Sequence, residues 1–492
     1  MTLDPASPVI IGVGQVTNRQ AAPENIVDAI ELMVRALERA ADDAGTRDAL
    51  ACIDRLVVTQ GQWRWPNPAA LVADRVGAPR ASTVFAMACG STPQLLVHDA
   101  ARRVERGDAQ VVALCGGEWV HGRARLRALG RPLPVTVQTV GRPDEHFGHN
   151  REWESELERS RGFGQPLDIY GLFESALRQR LGEDVETNRQ ACSDLMSGLS
   201  GVAARHPYAW SPVRYAPAEI RDVGPGNRMV TFPYTKRMVS NWNVDMASAL
   251  LITTVATASR LGVPTDRWVF PLGGADADDA CFFSELERLD DSPAMRATTS
   301  AAYAATGHGP DDVDLFDLYS CFPSAIRIEA EAAGISLDRP LTVTGGMPYF
   351  GGPMANYMGH AIATMVDELR ARPGAVGCCV GNGGYLNKLS VGLYSTTPPP
   401  DGLRVADVSD AVRDVGHRAV AATHDGRAGI EAATVLHGRD GPARAIATGL
   451  TDRGARVLAW STDDDVMARL MTDEWVGGTI DIAADGRIRS LR

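Results

Sequence analysis

The order of secondary-structure elements in this chain is written twice. Residues 8–15, rich in Val and Ile, read as a strand. A helix follows, with apolar residues at Ile26, Ile30, Met33, Leu37 and Ala40 and a closing Gly45. A strand at 53–58, a turn at Cys89-Gly90-Ser91, a helix from Thr92 to Arg106 and a strand at 109–115 complete the unit. The second copy opens with a strand at 268–272 and a helix that Ser292-Pro293 starts and Gly307 ends. A strand at 313–318, a Gly-rich turn at 345–353, a helix ending near Arg372 and a strand at 375–380 follow in the same order. Strands that alternate with helices imply a parallel sheet covered on both faces, so two copies predict a duplicated, layered α/β core.

The turn in the first copy carries the most reactive side chain. Cys89 lies between the apolar strand Val84-Phe85-Ala86-Met87-Ala88 and the mouth of a helix. Unpaired backbone N–H groups and the positive end of the helix dipole favour thiolate there, which is the nucleophilic form. A lone buried cysteine is also an ordinary small apolar core residue.

Five motifs fall in a fixed order on this framework: Cys89-Gly90-Ser91, Gly116-Gly117-Glu118, Asn243-Val244-Asp245-Met246-Ala247, Gly345-Gly346 before Gly352-Pro353, and Cys379-Val380-Gly381-Asn382-Gly383. Together they resemble the thiolase superfamily, nearest to its SCP2-thiolase-like group, over about residues 8–396. The resemblance implies an α-β-α-β-α layered core. Its first half comprises residues 1–119 and 241–262, and its second half residues 263–397. A loop domain at 120–240 is inserted between them. Asn243 would open the last helix of the first half.

The resemblance also assigns roles. Cys89 would take an acyl group from coenzyme A, and Cys379 would act as acid and base on the α-proton. The backbone amides of Cys89 and Gly383 would hold the tetrahedral oxyanion. The loop domain would contact CoA, with Lys236 and Arg237 beside its phosphates.

Two positions depart from the family pattern. The family's Gly-His-Pro is Gly351-Gly352-Pro353, so the activating imidazole is absent. The family's Asn-Glu-Ala-Phe is Tyr319-Ser320-Cys321-Phe322, which puts a phenol where a water or oxyanion donor is set. Losing one such donor typically lowers the rate by about two to three powers of ten. His360 lies eight residues beyond Gly352, about 12 Å along a helix, and reads as a polar helix-face residue. His146 and His149 lack neighbours at metal-ligand spacing, and no metal is expected.

Thr396-Thr397-Pro398-Pro399-Pro400 reads as a linker to an additional domain at 403–492. Three strands, a helix at 463–471 and two more strands give the order of an OB-like β-barrel. The segment mixes acids and bases and has no row of exposed aromatics, so nucleic acid is not expected. Substrate access or docking of a protein partner is the role this module suggests by analogy.

The 492 residues carry a net charge of −12, which disfavours nucleic acid and anionic membrane. Eight irregularly spaced cysteines read as reduced thiols. Residues 1–5 lack the basic and apolar regions of a signal peptide, and no apolar run is long enough for a bilayer, so a cytoplasmic location is expected. Two readings stand. The first is an acyltransferase of the thiolase superfamily with weak or no standard thiolase activity, taking CoA or acyl-CoA as substrate rather than as a resident cofactor. The second is a non-catalytic protein that binds CoA or acyl-CoA, or docks a partner.

Overall fold

The structure is a computed structural model that describes residues 3–19, 21–138, 141–148, 152–279 and 281–492. His149 therefore lies outside the described residues. The first sheet runs, edge to edge, through Pro8–Thr17, Asp245–Thr254, Val111–Trp119, Arg55–Thr59, Ser82–Ala86 and Glu145–Phe147. The second runs through Leu315–Asp317, Val376–Gly383, Lys388–Ser395, Phe270–Asp278 and Arg404–Asp407. Helices Thr92–Arg106 and Tyr357–Ala371 pack against strands of both sheets and against each other, so they form a central layer. Helix Ala29–Asp43 covers the outside of the first sheet and Pro293–Thr306 packs against the second. The expected layered α-β-α-β-α arrangement is present.

Helix ends follow the sequence closely. Ser292 accepts a hydrogen bond from the Met295 amide at 3.0 Å, and Gly307 ends that helix in the left-handed region at φ 71°. Asp28 caps Ala29–Asp43 through the Glu31 amide at 3.0 Å.

The sheets differ from the expectation in one respect: they are mixed, not parallel. Asp245–Thr254, expected to be a helix opened by Asn243, is a strand antiparallel to both Pro8–Thr17 and Val111–Trp119. It is paired on both edges and buried at nine of its ten residues. A strand buried on both faces loses the alternation that marks strands in sequence, and its Ala- and Leu-rich run then reads as helix. Lys388–Ser395, antiparallel to Val376–Gly383 and to Phe270–Asp278, was not anticipated for the same reason.

Helices are the main regular elements of the inserted segment, with Pro166–Leu181 and Val185–Ala203 the longest. The C-terminal strands are Gly426–His437, Pro442–Leu450, Arg456–Ser461, Thr479–Ile482 and Ile488–Leu491, with helix Asp464–Thr472 between the third and fourth. An isolated bridge joins Trp460 of the third to Arg487, the residue before the fifth. This sheet docks on the insertion. The Ala433 amide donates to Ser175 Oγ at 3.0 Å, and buried Arg178 pairs with Glu474 at 2.8 Å. Thr231 pairs with Leu436, and Phe232 enters the C-terminal core. All eight cysteines are unpaired. Among the described residues, no helix is long and apolar enough to cross a membrane.

Candidate active site

Strand Ser82–Ala86 delivers the chain to the Cys89 turn, and helix Thr92–Arg106 leaves it. The Thr92 amide donates to the Cys89 carbonyl at 3.1 Å, and Pro93 in the first turn suits a position where the helix has no partner for an amide. The Cys89 side chain is nearly enclosed, at 4% exposure, with its Sγ 3.4 Å from Ser91 Oγ.

Strand Val376–Gly383 ends against this turn. A Cβ on Gly383 would overlap the Cys89 sulfur and would lie 3.2 Å from the Gly90 nitrogen and 3.5 Å from the Ser91 nitrogen. A Cβ on Gly381 would lie 3.2 Å from Ser91 Cα. Only glycine lets the strand end approach the thiol this closely. The Tyr319 hydroxyl and the Asn382 carbonyl both crowd the position where Gly90 lacks a side chain. Cys89, Tyr319 and Gly383 are therefore brought together from three segments.

Burial pushes the Tyr319 phenol well above its ordinary value, with the Cys321 and Cys89 thiols and the Glu329 carboxyl adding to it. It stays neutral and keeps its proton to donate. Glu329, fully buried, accepts from the Tyr319 amide at 2.9 Å and from Asn382 Nδ2 at 3.2 Å. Burial raises its carboxyl well above the usual range. Asn382 Nδ2 also donates to the Tyr170 hydroxyl at 3.2 Å, and the Tyr170 ring stacks on Phe322 at 4.4 Å. Tyr170 belongs to Pro166–Leu181, the helix on which the C-terminal sheet docks.

Cys379 lies elsewhere on the same strand. It lies four positions before Gly383, about 13 Å along an extended backbone. It pairs across the sheet with Asp317 and Gly392 and is fully buried. Burial, with Asp317 as a lesser cause, pushes its thiol far up.

The Gly352 position is crowded by a neighbouring segment. Its amide donates to the Asn241 carbonyl at 2.8 Å, and a Cβ there would lie 2.5 Å from Ser240 Oγ and 3.4 Å from Met347 Cγ. The Ser240 amide in turn donates to the Cys321 carbonyl at 3.0 Å. The segment after Lys236 and Arg237 thus runs against Gly352, where a side chain would meet the Ser240 hydroxyl. Lys236 is exposed. Arg237 is engaged, with its guanidinium 4.4 Å from the Tyr215 ring and donating to the Glu219 carbonyl at 2.7 Å. These two residues precede a loop and a strand, not a helix.

His360, expected on a polar helix face, is fully buried, with its Nδ1 2.8 Å from Gln15 Oε1. Its helix is enclosed between the two sheets, so this helix has little solvent face there. Glu118 and Asp245, from two of the five motifs, are buried carboxyls on paired strands, each raised to about 7 mainly by burial. Glu329, Tyr170 and Ser240 carry no motif in the sequence, and Asn382 lies inside one without an assigned role. Glu329 left a further signal, as an acid on the buried face of an Ala- and Ile-rich helix.

Comparisons with known proteins agree with this architecture. A family model for the additional C-terminal domain of thiolase-like protein type 1 matches residues 407–487. The crystal structure of a monomeric SCP2-thiolase like protein type 1 from Mycobacterium smegmatis is similar over 99% of both chains, at 30% identity and a TM-score of 0.83. An acetyl-CoA acetyltransferase from Syntrophomonas wolfei covers 80% of this chain and 100% of its own, at 15% identity and TM-score 0.57. An Ltp2-ChsH2(DUF35) aldolase covers 80% of this chain and 98% of its own, at 16% identity and TM-score 0.60. The last two share the fold. No curated protein matches the sequence.

Proposed function

The chain belongs to the SCP2-thiolase-like proteins of type 1, and on that premise we propose that it binds a CoA thioester and transfers the acyl group through Cys89 to an acceptor other than a carbanion. The Cys89 sulfur attacks the thioester carbonyl. The C–S bond to CoA breaks, and CoA leaves as its thiol with the proton that Cys89 gives up. Water or another thiol then attacks the acyl-enzyme, releases a carboxylic acid or a new thioester, and returns the proton to Cys89.

One observation carries this reading. Tyr319 and Gly383 meet at the Cys89 turn, while Ser240 lies against Gly352, which has no side chain. The thiol keeps a neutral hydrogen-bond donor and a glycine strand end beside it. It lacks the imidazole at Gly352 that the resemblance ties to thiolase chemistry. The Cys89 and Gly383 amides serve as oxyanion donors in this proposal. Cys379 has no acid–base task in it, because acyl transfer to water or a thiol moves no α-proton. Exposed Lys236 is the better contact for CoA phosphates, since Arg237 already holds Tyr215 and Glu219.

A second reading, binding of CoA without catalysis, is favoured by the 4% exposure of Cys89. Release of free CoA thiol from acetyl-CoA distinguishes the two. The proposal predicts release that Cys89→Ala abolishes, and equal background release from both proteins would leave only binding.

A further inference from the structure

We propose a transition-metal site, separate from the Cys89 turn, formed by Asp279, Cys281 and His417. One carboxylate oxygen, the Sγ and one imidazole nitrogen from these residues all lie within 4.8 Å of one another. Asp279 and Cys281 follow the strand Phe270–Asp278. His417 arrives from the stretch between helix Ser409–Arg413 and strand Gly426–His437, which leads into the C-terminal domain. Two distant parts of the chain thus converge on one point with three different donor types.

The surroundings are those of a built site. His417 Nε2 lies 2.7 Å from Asp279 Oδ1, and the imidazole is 36% exposed while the carboxyl is 9% exposed. Cys281 is held from behind, because Asn387 Nδ2 donates to its carbonyl at 2.9 Å and lies 3.7 Å from its sulfur. The Asp279 amide donates to the Asn387 carbonyl at 2.9 Å. Partners that orient ligands from outside the coordination sphere are a regular part of metal centres. A small surface cleft of about 30 Å³, lined in part by Asp279, Val415, Gly416 and Tyr385, reaches one of the three ligands from solvent.

The donor set selects the ion. A thiolate, an imidazole and a carboxylate suit zinc, or cobalt in its place, and not magnesium or calcium, which take oxygen ligands. Three protein ligands with a partly exposed imidazole leave a fourth position for water. Binding replaces the hydrogen bond between Asp279 and His417 with two metal–ligand bonds. The imidazole then carries its proton on Nδ1, and the Cys281 proton passes to solvent. The ion would tie the segment entering the C-terminal domain to the core. Asn387 belongs to the turn that continues from Gly383, so the ion would also brace the turn beside Cys89.

The test is titration of the full-length, chelator-treated protein with cobalt(II) chloride, followed by absorption and by displacement with zinc chloride. One equivalent should bind, with a thiolate-to-metal charge-transfer band and tetrahedral ligand-field bands. Cys281→Ser should remove the charge-transfer band. His417→Gln, a change at a partly exposed side chain that leaves the core intact, should weaken affinity by about 100-fold or more. Cys89→Ser should bind as wild type does. Absence of binding by the wild type overturns the proposal. So does unchanged affinity in His417→Gln, which would mean an adventitious ion only, and so does loss of the thiolate band in Cys89→Ser instead of Cys281→Ser.

Discussion

Gly352→Ala isolates the claim that Ser240 packs against the Gly352 position. The substitution adds one carbon and nothing else. Gly352 is not among the residues at positive φ, so the backbone accepts alanine and any cost is steric. That carbon would lie 2.5 Å from Ser240 Oγ, against about 3.5 Å or more for ordinary contact. Met347, 2% exposed and 3.4 Å away on another side, blocks a simple retreat. Ser240 is tied to the Cys321 carbonyl and its neighbour Asn241 to Gly352, so relief requires a rotamer change or a small backbone shift. Overpacking of this size costs about 1–3 kcal/mol. Urea unfolding of Gly352→Ala, Ser240→Gly and the double variant forms a double-mutant cycle. The double variant should recover most of the loss, with a coupling of about 0.5–3 kcal/mol, as expected for residues in contact. Gly352→His should need Ser240→Gly in the same chain to fold with wild-type stability. If Gly352→Ala is as stable as wild type, or if Ser240→Gly gives no relief, the segment does not pack against Gly352 as described.

Three further outcomes follow from the same geometry. Gly383→Ala should lower the rate of Cys89 modification by acetyl-CoA by about 100-fold, because displacing a reacting atom by about 1 Å has that effect; an unchanged rate, measured by peptide mapping, would detach Gly383 from the site. Thiolytic cleavage of acetoacetyl-CoA should be absent or far below the usual enzyme range of about 1–1000 per second, and turnover inside that range would refute the weight given to Gly352 and Tyr319. Burial lowers His360 to about 3 and His206 to about 4, so both favour the neutral form in the fold. Their contribution is complete above about pH 6.5 and is lost as pH falls from there to about 4 for His206 and about 3 for His360. Glu118 and Asp245, raised to about 7, act with the opposite sign and lose stability as pH rises from about 4 to 7. The difference between wild type and His360→Gln in urea midpoints should therefore shrink on acidification from about pH 6.5 to 3, and a constant difference would exclude the assignment.

The sequence carried some of this and withheld the rest for identifiable reasons. Local chemistry was legible: Ser292-Pro293 and Gly307 bound a helix, and the Cys89 turn sits between a strand and a helix. The C-terminal order of three strands, a helix and two strands also stood in the text of the chain. Pairing was not legible. Asp245–Thr254 is a strand because neighbours on both edges satisfy its backbone, and no local propensity records that. Tyr319 and Gly383 could be named from motifs, but the network that holds them could not. Glu329 reaches both through the Tyr319 amide and the Asn382 side chain, and Tyr170 comes from a helix in the insertion. The crowding of Gly352 by Ser240 depends on where a distant segment runs, which composition and spacing do not encode. The sequence alone leaves Arg237 free to meet phosphates, because its bond to the Glu219 carbonyl and its contact with Tyr215 are also products of folding.

The central claim is that Cys89 carries an acyl group taken from CoA. Intact-protein mass spectrometry after brief incubation with acetyl-CoA, followed by peptide mapping, addresses it without assuming an acceptor. The account predicts a mass gain of one acetyl group on the wild type, located on the peptide containing Cys89 and absent from Cys89→Ala. No adduct on the wild type, or an adduct that persists in Cys89→Ala, would contradict it.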